Sequence, residues 1–260
     1  MGRAFVYGMD SGIYAAYTGL LARTQALDTA ANNLANAGTV GFRAQRDYFR
    51  SVLAGIGDGL ETAPSQVGNA VNDFGVLGGN LIDQGQGAVT ATGNPLDLAL
   101  NGQGFFAIQA KQGTQYTRDG AFMRSDTGVL QTAQGEPVLD VSGQPITIPS
   151  GAVSVGPDGS VSVTTAEGSA IAGQVGVFAF PAETPLVAQG TNRFAAPDGV
   201  QPTVTAVPVQ EGALEGTNLD AVHGTMQLIL VQRQAEMMQK ALSVFNNDFD
   251  KTASEELGRV

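Results

Sequence analysis

The sequence has no cysteine and only one histidine. Without cysteine the chain can form no disulfide, no thiolate nucleophile and no cysteine-ligated metal site. The single histidine, His223, excludes the zinc patterns that need two histidines and leaves a hydrolytic triad only one possible base. We therefore expect no catalytic residue, no metal and no cofactor, although carboxylates that are distant in sequence could still meet in the fold.

Basic residues and long apolar runs are also scarce. The chain carries 13 lysines and arginines against 24 acidic residues, a formal net charge of −11. An acidic surface repels nucleic-acid phosphates and anionic membranes, so we expect no nucleic-acid ligand. There is no run of about 18 uncharged apolar residues, and the first residues lack the apolar core of a signal peptide. We expect no membrane insertion and no cleaved signal peptide.

Apolar residues near both ends follow the alternating spacing of three and four that marks a heptad seam. In the N-terminal seam Thr24 is the polar exception, and the larger members are Ile13, Tyr17, Leu20, Leu27 and Leu34. The C-terminal seam contains Leu228, Val231, Ala235, Met238, Leu242, Phe245 and Phe249. Asp10 or Ser11 can cap the first helix, and Gly38 can end it. Two matched seams predict that the terminal helices pair with each other as a coiled-coil-like domain.

The C-terminal segment has more apolar surface than one partner helix would cover. A second apolar set lies beside its seam and contains Val222, Met226, Ile229, Leu230, Met237, Ala241 and Val244. This surplus favours packing against helices of other subunits. Periodicity alone also allows the plainer alternative, in which each terminal helix packs on the β-domain of its own chain.

The middle of the chain changes to short alternating runs separated by glycine-rich turns, which is typical of an antiparallel β-domain. The clearest hairpin is SVGPDGSVSV, where Asp158 and Gly159 stand between two alternating runs. We predict an α+β fold in four segments. They are an N-terminal helix over 1–38, an extended linker over 39–79, a central antiparallel β-rich domain over 80–212 and a C-terminal helix over 213–260.

Two patterns imitate binding motifs. In NGQGFFA the residues Gly102, Gly104 and Ala107 have the spacing of a dinucleotide fingerprint. From Phe105 onward, however, the chain is typical of a strand, whereas a pyrophosphate site needs the N-terminus of a helix. The Asp-Gly pairs that begin at Asp119, Asp158 and Asp198 lack the spacing of a calcium loop. We interpret both patterns as turns.

Four segments stand out in order along nearly the whole chain. They are AANNLANAGTVGFRAQR; TGNPLDLALNGQGFFAIQ; YTRDGAFMRSDTGVLQTAQGEPVL; and GALEGTNLDAV, which runs into MQLILVQRQAEMMQKALSVFNND. Together they resemble the bacterial flagellar rod and hook proteins. The chain is shorter than a hook protein usually is. MDSGIYAAYTG and SGQPITIP are more similar to the proximal-rod member of this family than to the distal-rod member.

The resemblance implies an axial component of the flagellum, with helical termini in the inner tube of the periplasmic rod and the β-rich middle outside them. Its partners would be other copies of itself and other rod and hook proteins, and the flagellar type III apparatus would export it. Its function would be mechanical, the transmission of torque by a helical polymer, in the proximal rod or alternatively the distal rod. From the residues alone, a secreted β-rich module that binds or hydrolyses glycans is an alternative of another class.

The resemblance also suggests a role for the segment that follows the first helix. Asn32, Asn33 and Asn36 would make polar contacts that set the register where the helix leaves its seam. Phe42 would bury its ring and anchor the exit segment. Without the resemblance, an ordinary helix C-cap with exposed asparagines is the favoured interpretation. We predict that these four residues and the larger members of both seams pack between subunits.

Overall fold

The computed structural model describes the backbone of residues 4–50, 76–181 and 184–257, and the side chains of residues 17–48, 80–181 and 184–244. Within these residues two helices, α1 (Ala4–Ala35) and α2 (Ala221–Leu257), flank seventeen short strands. The chain divides into two compact units. The helical unit contains Met1–Asn32, Asp47–Asn80 and Val222–Val260, and the β-unit contains Asn33–Arg46 and Leu81–Ala221.

The strands form several small antiparallel sheets. In chain order they are β1 (Gln45–Arg50), β2 (Val76–Ile82), β3 (Val89–Ala91), β4 (Leu98–Leu100), β5 (Phe105–Ala110), β6 (Gly113–Thr117), β7 (Phe122–Arg124), β8 (Leu130–Thr132), β9 (Ala152–Val155), β10 (Ser160–Thr165), β11 (Gly168–Gln174), β12 (Val177–Ala179), β13 (Val187–Ala188), β14 (Arg193–Ala195), β15 (Thr203–Val204), β16 (Val209–Glu211) and β17 (Ala213–Glu215). The largest sheet has the order β13-β14-β6-β5-β12-β15, and the next has the order β11-β10-β9. The two-stranded sheets are β1-β2, β16-β4, β17-β3 and β7-β8.

The hairpin between β9 and β10 shows how alternation places a strand. Val161 and Val163 of β10 are buried, because every second side chain points to the core face. Val161 lies opposite Val155 of β9 in the antiparallel pairing. Gly159 takes a φ of +83° in the connecting turn, a conformation that favours glycine. The hairpin predicted at Asp158 and Gly159 is confirmed.

Two apolar clusters stabilise the β-unit. Two neighbouring residues of β5 point to opposite faces of the sheet, and each belongs to a different cluster. Phe106 belongs to the larger cluster, together with Ile108 and other aliphatic side chains. Phe105 belongs to the smaller one, where its ring meets Phe194 edge-to-face at a centroid distance of 5.6 Å and Phe180 at 6.1 Å. Burial of each ring contributes about 1.5–3 kcal/mol. The sheet that contains β5 therefore has apolar packing on both faces.

The motif NGQGFFA leads into a strand. β5 begins at Phe105, so no helix N-terminus is present at this point to meet a phosphate. A Cβ atom on Gly104 would lie 2.8 Å from Cγ1 of Val177, so packing demands glycine there. The interpretation as a glycine turn is confirmed.

The predicted coiled-coil pair of terminal helices is wrong. The fold is mostly β, with antiparallel sheets flanked by one helix at each end. Tyr17 of the predicted seam is 54% exposed, and Leu20, Leu27 and Leu34 are only half-buried. The buried side of α1 in the described residues is formed by Gly19, Ala22, Ala26, Thr29, Ala30 and Asn33. A coiled-coil seam needs bulky apolar knobs at its buried positions, and α1 has small or polar residues at those that are described.

Candidate assembly face and helix exit

α2 presents an apolar face to solvent along its described length. Its large members are Val222, Met226, Ile229, Leu230, Met237 and Val244, and each is at least 46% exposed. These residues recur at helical spacing, so they lie on one side of the helix. We call this surface the exposed α2 face. Burying such side chains contributes about 1.5–3 kcal/mol each, which makes the face a candidate for subunit packing.

The predicted seam of α2 is less accessible than this face. Ala235 and Leu242 are buried, and the half-buried members are Leu228, Val231 and Met238. The predicted members whose side chains fall outside the described residues are Ile13, Phe245 and Phe249. The assignment of both seams to contacts between subunits stays a prediction.

Asn33 fastens the end of α1 to the segment that follows it. Its amide Nδ2 donates to the carbonyl oxygen of Gln45 at 2.8 Å, and its Oδ1 accepts from the Gln45 N–H at 2.9 Å. One side-chain amide thus satisfies both backbone groups of one residue. The Oδ1 of Asn36 accepts from the Thr39 hydroxyl at 3.2 Å, and Asn32 is exposed. Contacts of these asparagines with other subunits stay a prediction.

Gly41 and Phe42 seat the exit segment within the β-unit. Gly41 has a φ of +68°, and a Cβ atom on it would lie 2.2 Å from the backbone nitrogen of Asp119. Any larger residue would therefore be both strained and in collision. The Gly41 N–H donates to the carbonyl oxygen of Glu215 at 2.8 Å. The ring of Phe42 is 2% exposed, so it anchors the segment inside its own chain.

Directly after Phe42, a buried ion network joins three distant parts of the chain. Nη2 of Arg43 lies 2.5 Å from Oε1 of Glu215, and Nη1 of Arg118 lies 2.8 Å from Oε2 of the same carboxylate. All three side chains are at most 1% exposed. One carboxylate faces two guanidinium groups away from water, so the network carries an excess positive charge.

Backbone groups complete the ion network. The Gly87 N–H donates to Oε1 of Glu215 at 2.7 Å, and Nη2 of Arg118 donates to the carbonyl oxygen of Gly102 at 2.6 Å. Among the described residues, the buried Nε atoms of Arg43 and Arg118 have no hydrogen-bond partner. Each unpaired buried donor lowers the stability of the fold, so the two Nε atoms offset part of the stabilisation that the ion pairs provide.

Burial dominates the protonation of the two arginines. It lowers the pKa of Arg43 to about 10, with attraction by Glu215 opposing the shift and repulsion from Arg118 adding to it. Burial also lowers the pKa of Arg118, again opposed by Glu215. The Arg118 guanidinium lies 5.4 Å from the ring centroid of Phe105, where the ring face attracts the cation. With a pKa of about 10, Arg43 is charged at neutral pH. Its buried charge therefore needs the Glu215 carboxylate as a counter-ion.

Asn218 forms a second link beside the ion network. Its Oδ1 accepts from the Ala44 N–H at 2.9 Å, and its Nδ2 donates to the carbonyl oxygens of Asp83 at 2.9 Å and Gly85 at 3.2 Å. The exit segment of α1, the segment after β2 and the segment before α2 therefore meet at one amide.

The sequence interpretation missed Arg43, Arg118 and Glu215. Each lies in one of the quoted segments, within GFR, YTRDG and GALEGTN respectively. The available signal was a charged residue within a segment that is otherwise rich in glycine, apolar or aromatic residues. Spacing could not reveal the network, because Arg43 and Glu215 are 172 positions apart.

Other kinds of site are not found in the part of the chain that the structure describes. No group of three or more His, Asp or Glu side chains there is placed to hold a metal ion. No described helix combines the length and the hydropathy that crossing a membrane requires. His223 is exposed in the first turn of α2.

Two family models match the chain. Residues 13–43 match the model described as "Flagella basal body rod protein", and residues 99–163 match the "Flagellar hook protein FlgE/F/G D1 domain". These matches define an axial protein of the bacterial flagellum.

Similarity to curated relatives covers nearly the whole chain. The flagellar basal-body rod protein FlgF of Caulobacter vibrioides is 33% identical over 97% of this chain and 100% of the relative. FlgG of Agrobacterium fabrum is 32% identical over 88% of this chain and 92% of the relative. FlgF of Escherichia coli is 33% identical, with 88% and 93% covered. The chain belongs to the flagellar basal-body rod proteins, which confirms the resemblance stated from its motifs.

Proposed function

We propose that this chain is a structural subunit of the rod of the flagellar basal body, which assembles helically with copies of itself and with other axial proteins. The observation that carries the proposal is the similarity to FlgF over 97% of the chain and all of the relative. The function is mechanical: the polymer transmits torque, and the subunit is not an enzyme. The same full-length similarity disfavours the alternative of a glycan-acting module.

The exposed α2 face supports the polymerisation step. Burying its large side chains against helices of neighbouring subunits would remove apolar surface from water and drive association. Charge favours the same location. The segment from Ala221 to Val244 carries only Arg233, Glu236 and Lys240, a net charge of +1 (two basic minus one acidic) in a chain of −11. Repulsion between two copies along this segment is therefore weaker than the net charge of the whole chain would produce.

The predicted packing residues divide by their exposure in the single chain. Tyr17 is exposed and is available to a neighbouring subunit, as is the adjoining Leu21 of α1. Leu242 and Phe42 are buried in the chain itself. We infer that the exposed residues contribute to contacts between subunits, whereas these two buried residues act by holding the subunit in its folded form.

We infer that the subunit lies in the periplasmic part of the basal body, in the proximal rod, and is exported by the flagellar type III apparatus without a cleaved signal peptide. The segments MDSGIYAAYTG and SGQPITIP, which are more similar to the proximal-rod member of the family, support the proximal position. The distal position is the alternative, since relatives with two different names, FlgF at 33% and FlgG at 32% identity, match most of the chain. Labelling basal bodies from the bacterium that encodes the chain with an antibody against the β-unit tests both positions. We expect label on the proximal rod only.

Leu230→Asp tests whether the exposed α2 face mediates assembly. Leu230 is 57% exposed, so we expect the variant to fold with unchanged stability and to be absent from purified basal bodies. Gln232→Asp is the matched control, because it places the same charge at an exposed position on another side of α2. Normal incorporation of the Leu230 variant would remove this face from the assembly mechanism.

A further inference from the structure

Three links join residues 41–44 to residues 215–218. The Gly41 N–H donates to the carbonyl oxygen of Glu215, the Arg43 guanidinium pairs with the Glu215 carboxylate, and the Ala44 N–H donates to Oδ1 of Asn218. Between the first and the third link the residue numbers rise together, from 41 opposite 215 to 44 opposite 218, and the second link reaches back to 215 through the long Arg43 side chain. The two segments therefore run in the same direction.

This parallel arrangement decides how the links respond to force. The chain passes from α1 into the N-terminal end of the first segment, and from the C-terminal end of the second segment into α2. A pull through the two helices acts on opposite ends of two parallel segments. The links are then loaded together in shear, whereas opening from one end would load them one after another.

We propose that residues 41–44 and 215–218 form a mechanical clamp, with Glu215 as its positioning residue. Force passes across the clamp directly from one segment to the other. While the links hold, the sheets between residues 45 and 214 lie outside the force path. The relevance of the clamp to torque rests on the proposed function, but the clamp itself is a property of the isolated chain.

Glu215 is central because two of the three links between the segments end on it. Its backbone carbonyl holds Gly41, and its carboxylate holds Arg43. The same carboxylate is fixed to the sheets by Arg118 and the Gly87 N–H. Loss of the carboxylate charge therefore loosens the first segment while the second segment stays joined to β17.

The lack of cysteine allows two pulling directions to be compared in single-molecule force measurements on the full chain. Ala35→Cys with Ala221→Cys places handles on either side of the clamp. Lys111→Cys with Ala166→Cys places handles on two exposed strand turns, so that the β-unit is pulled without loading the clamp from its ends.

We expect Glu215→Gln to raise the unfolding rate at constant force with both pairs of handles, because it also lowers general stability, and to raise it about tenfold more with the first pair than with the second. Asn218→Ala removes one neutral link and should act in the same direction more weakly, which keeps the test usable should Glu215→Gln fold poorly. The control Glu136→Gln breaks an ion pair with Arg193 elsewhere in the β-unit and should leave the first rate unchanged.

Equal acceleration in both pulling directions would overturn the proposal, because Glu215 would then contribute only general stability. An unchanged rate with the first pair of handles would overturn it as well. Neither result bears on assembly into a rod, since both are measured on the isolated chain.

Discussion

Arg43 and Glu215 are 172 positions apart in the sequence, yet Nη2 of one lies 2.5 Å from Oε1 of the other. Arg43 stands eight residues after Ala35, the last residue of α1, and Glu215 is the last residue of β17. The pair therefore joins the segments through which the chain enters and leaves the β-unit. Loss of either charge is expected to weaken the connection between these two segments.

Glu215→Gln should lower the free energy of unfolding by about 3–5 kcal/mol, because it leaves two buried guanidinium groups without a counter-ion. Urea denaturation at neutral pH measures the effect. The combined variant Arg43→Met, Arg118→Met and Glu215→Leu removes all three charges and should recover most of the loss. A Glu215→Gln protein as stable as the original would show that the carboxylate charge is not required.

Gly41→Ala should destabilise the fold more than Gly135→Ala. Both glycines have positive φ, +68° and +84°, and an alanine costs about 1–3 kcal/mol in such a conformation. Only Gly41 adds a collision, with the backbone of Asp119, since nothing lies within 4 Å of a Cβ atom on Gly135. Thermal unfolding of the two variants makes the comparison. Equal losses in Tm would contradict the close approach at Gly41.

Asn33→Ala should release the segment after α1. It removes the two hydrogen bonds between the Asn33 amide and the backbone of Gln45, a cost of about 1–3 kcal/mol. Amide hydrogen exchange should become faster at Gln45 than in the original protein. Asn101→Ala is the control, because Asn101 is exposed and its amide makes only a long contact of 3.4 Å with Gln210. Unchanged exchange at Gln45 would mean that Asn33 does not hold this strand.

Asp119 should make stability depend on pH. Burial raises the pKa of its carboxyl group, against the opposing hydrogen bonds from the Ala121 N–H and the Asn192 side chain. Because the folded pKa lies above the unfolded value of about 3.9, the stabilisation by protonated Asp119 is complete below that value and is lost as pH rises through the folded pKa.

The check is the difference in unfolding free energy between the original protein and Asp119→Asn at pH 4 and pH 7. Since asparagine does not titrate, the original protein should lose stability relative to the variant as the pH rises. A difference that is the same at both pH values would rule out a raised pKa.

Short-range sequence patterns correctly predicted individual turns and strands. The turn at Gly159 and the strand from Phe105 needed only short-range rules on glycine and alternation. The helix cap expected at Asp10 or Ser11 did not mark the start of α1, which begins at Ala4. A cap residue is a weak local preference, and helix formation can continue past it when further turns are favourable.

Heptad spacing was a poorer guide, because it says which residues share a side of a helix and not how that side is packed. The exposed α2 face was anticipated as a surplus apolar set, since two apolar sides of one helix are visible in spacing alone. The buried side of α1 was not anticipated. Its members include Ala22, Ala26 and Ala30, whose small side chains carry little weight in an apolar pattern.

The sequence by itself determined the family, the antiparallel strands and the wide apolar surface of α2, because motifs, alternation and helical spacing are properties of neighbouring residues. Only the tertiary structure showed that Arg43, Arg118 and Glu215 form one buried network and that Asn218 holds three segments. The physical reason is that burial of a charge depends on what surrounds it. That environment is assembled from parts of the chain that no local rule connects.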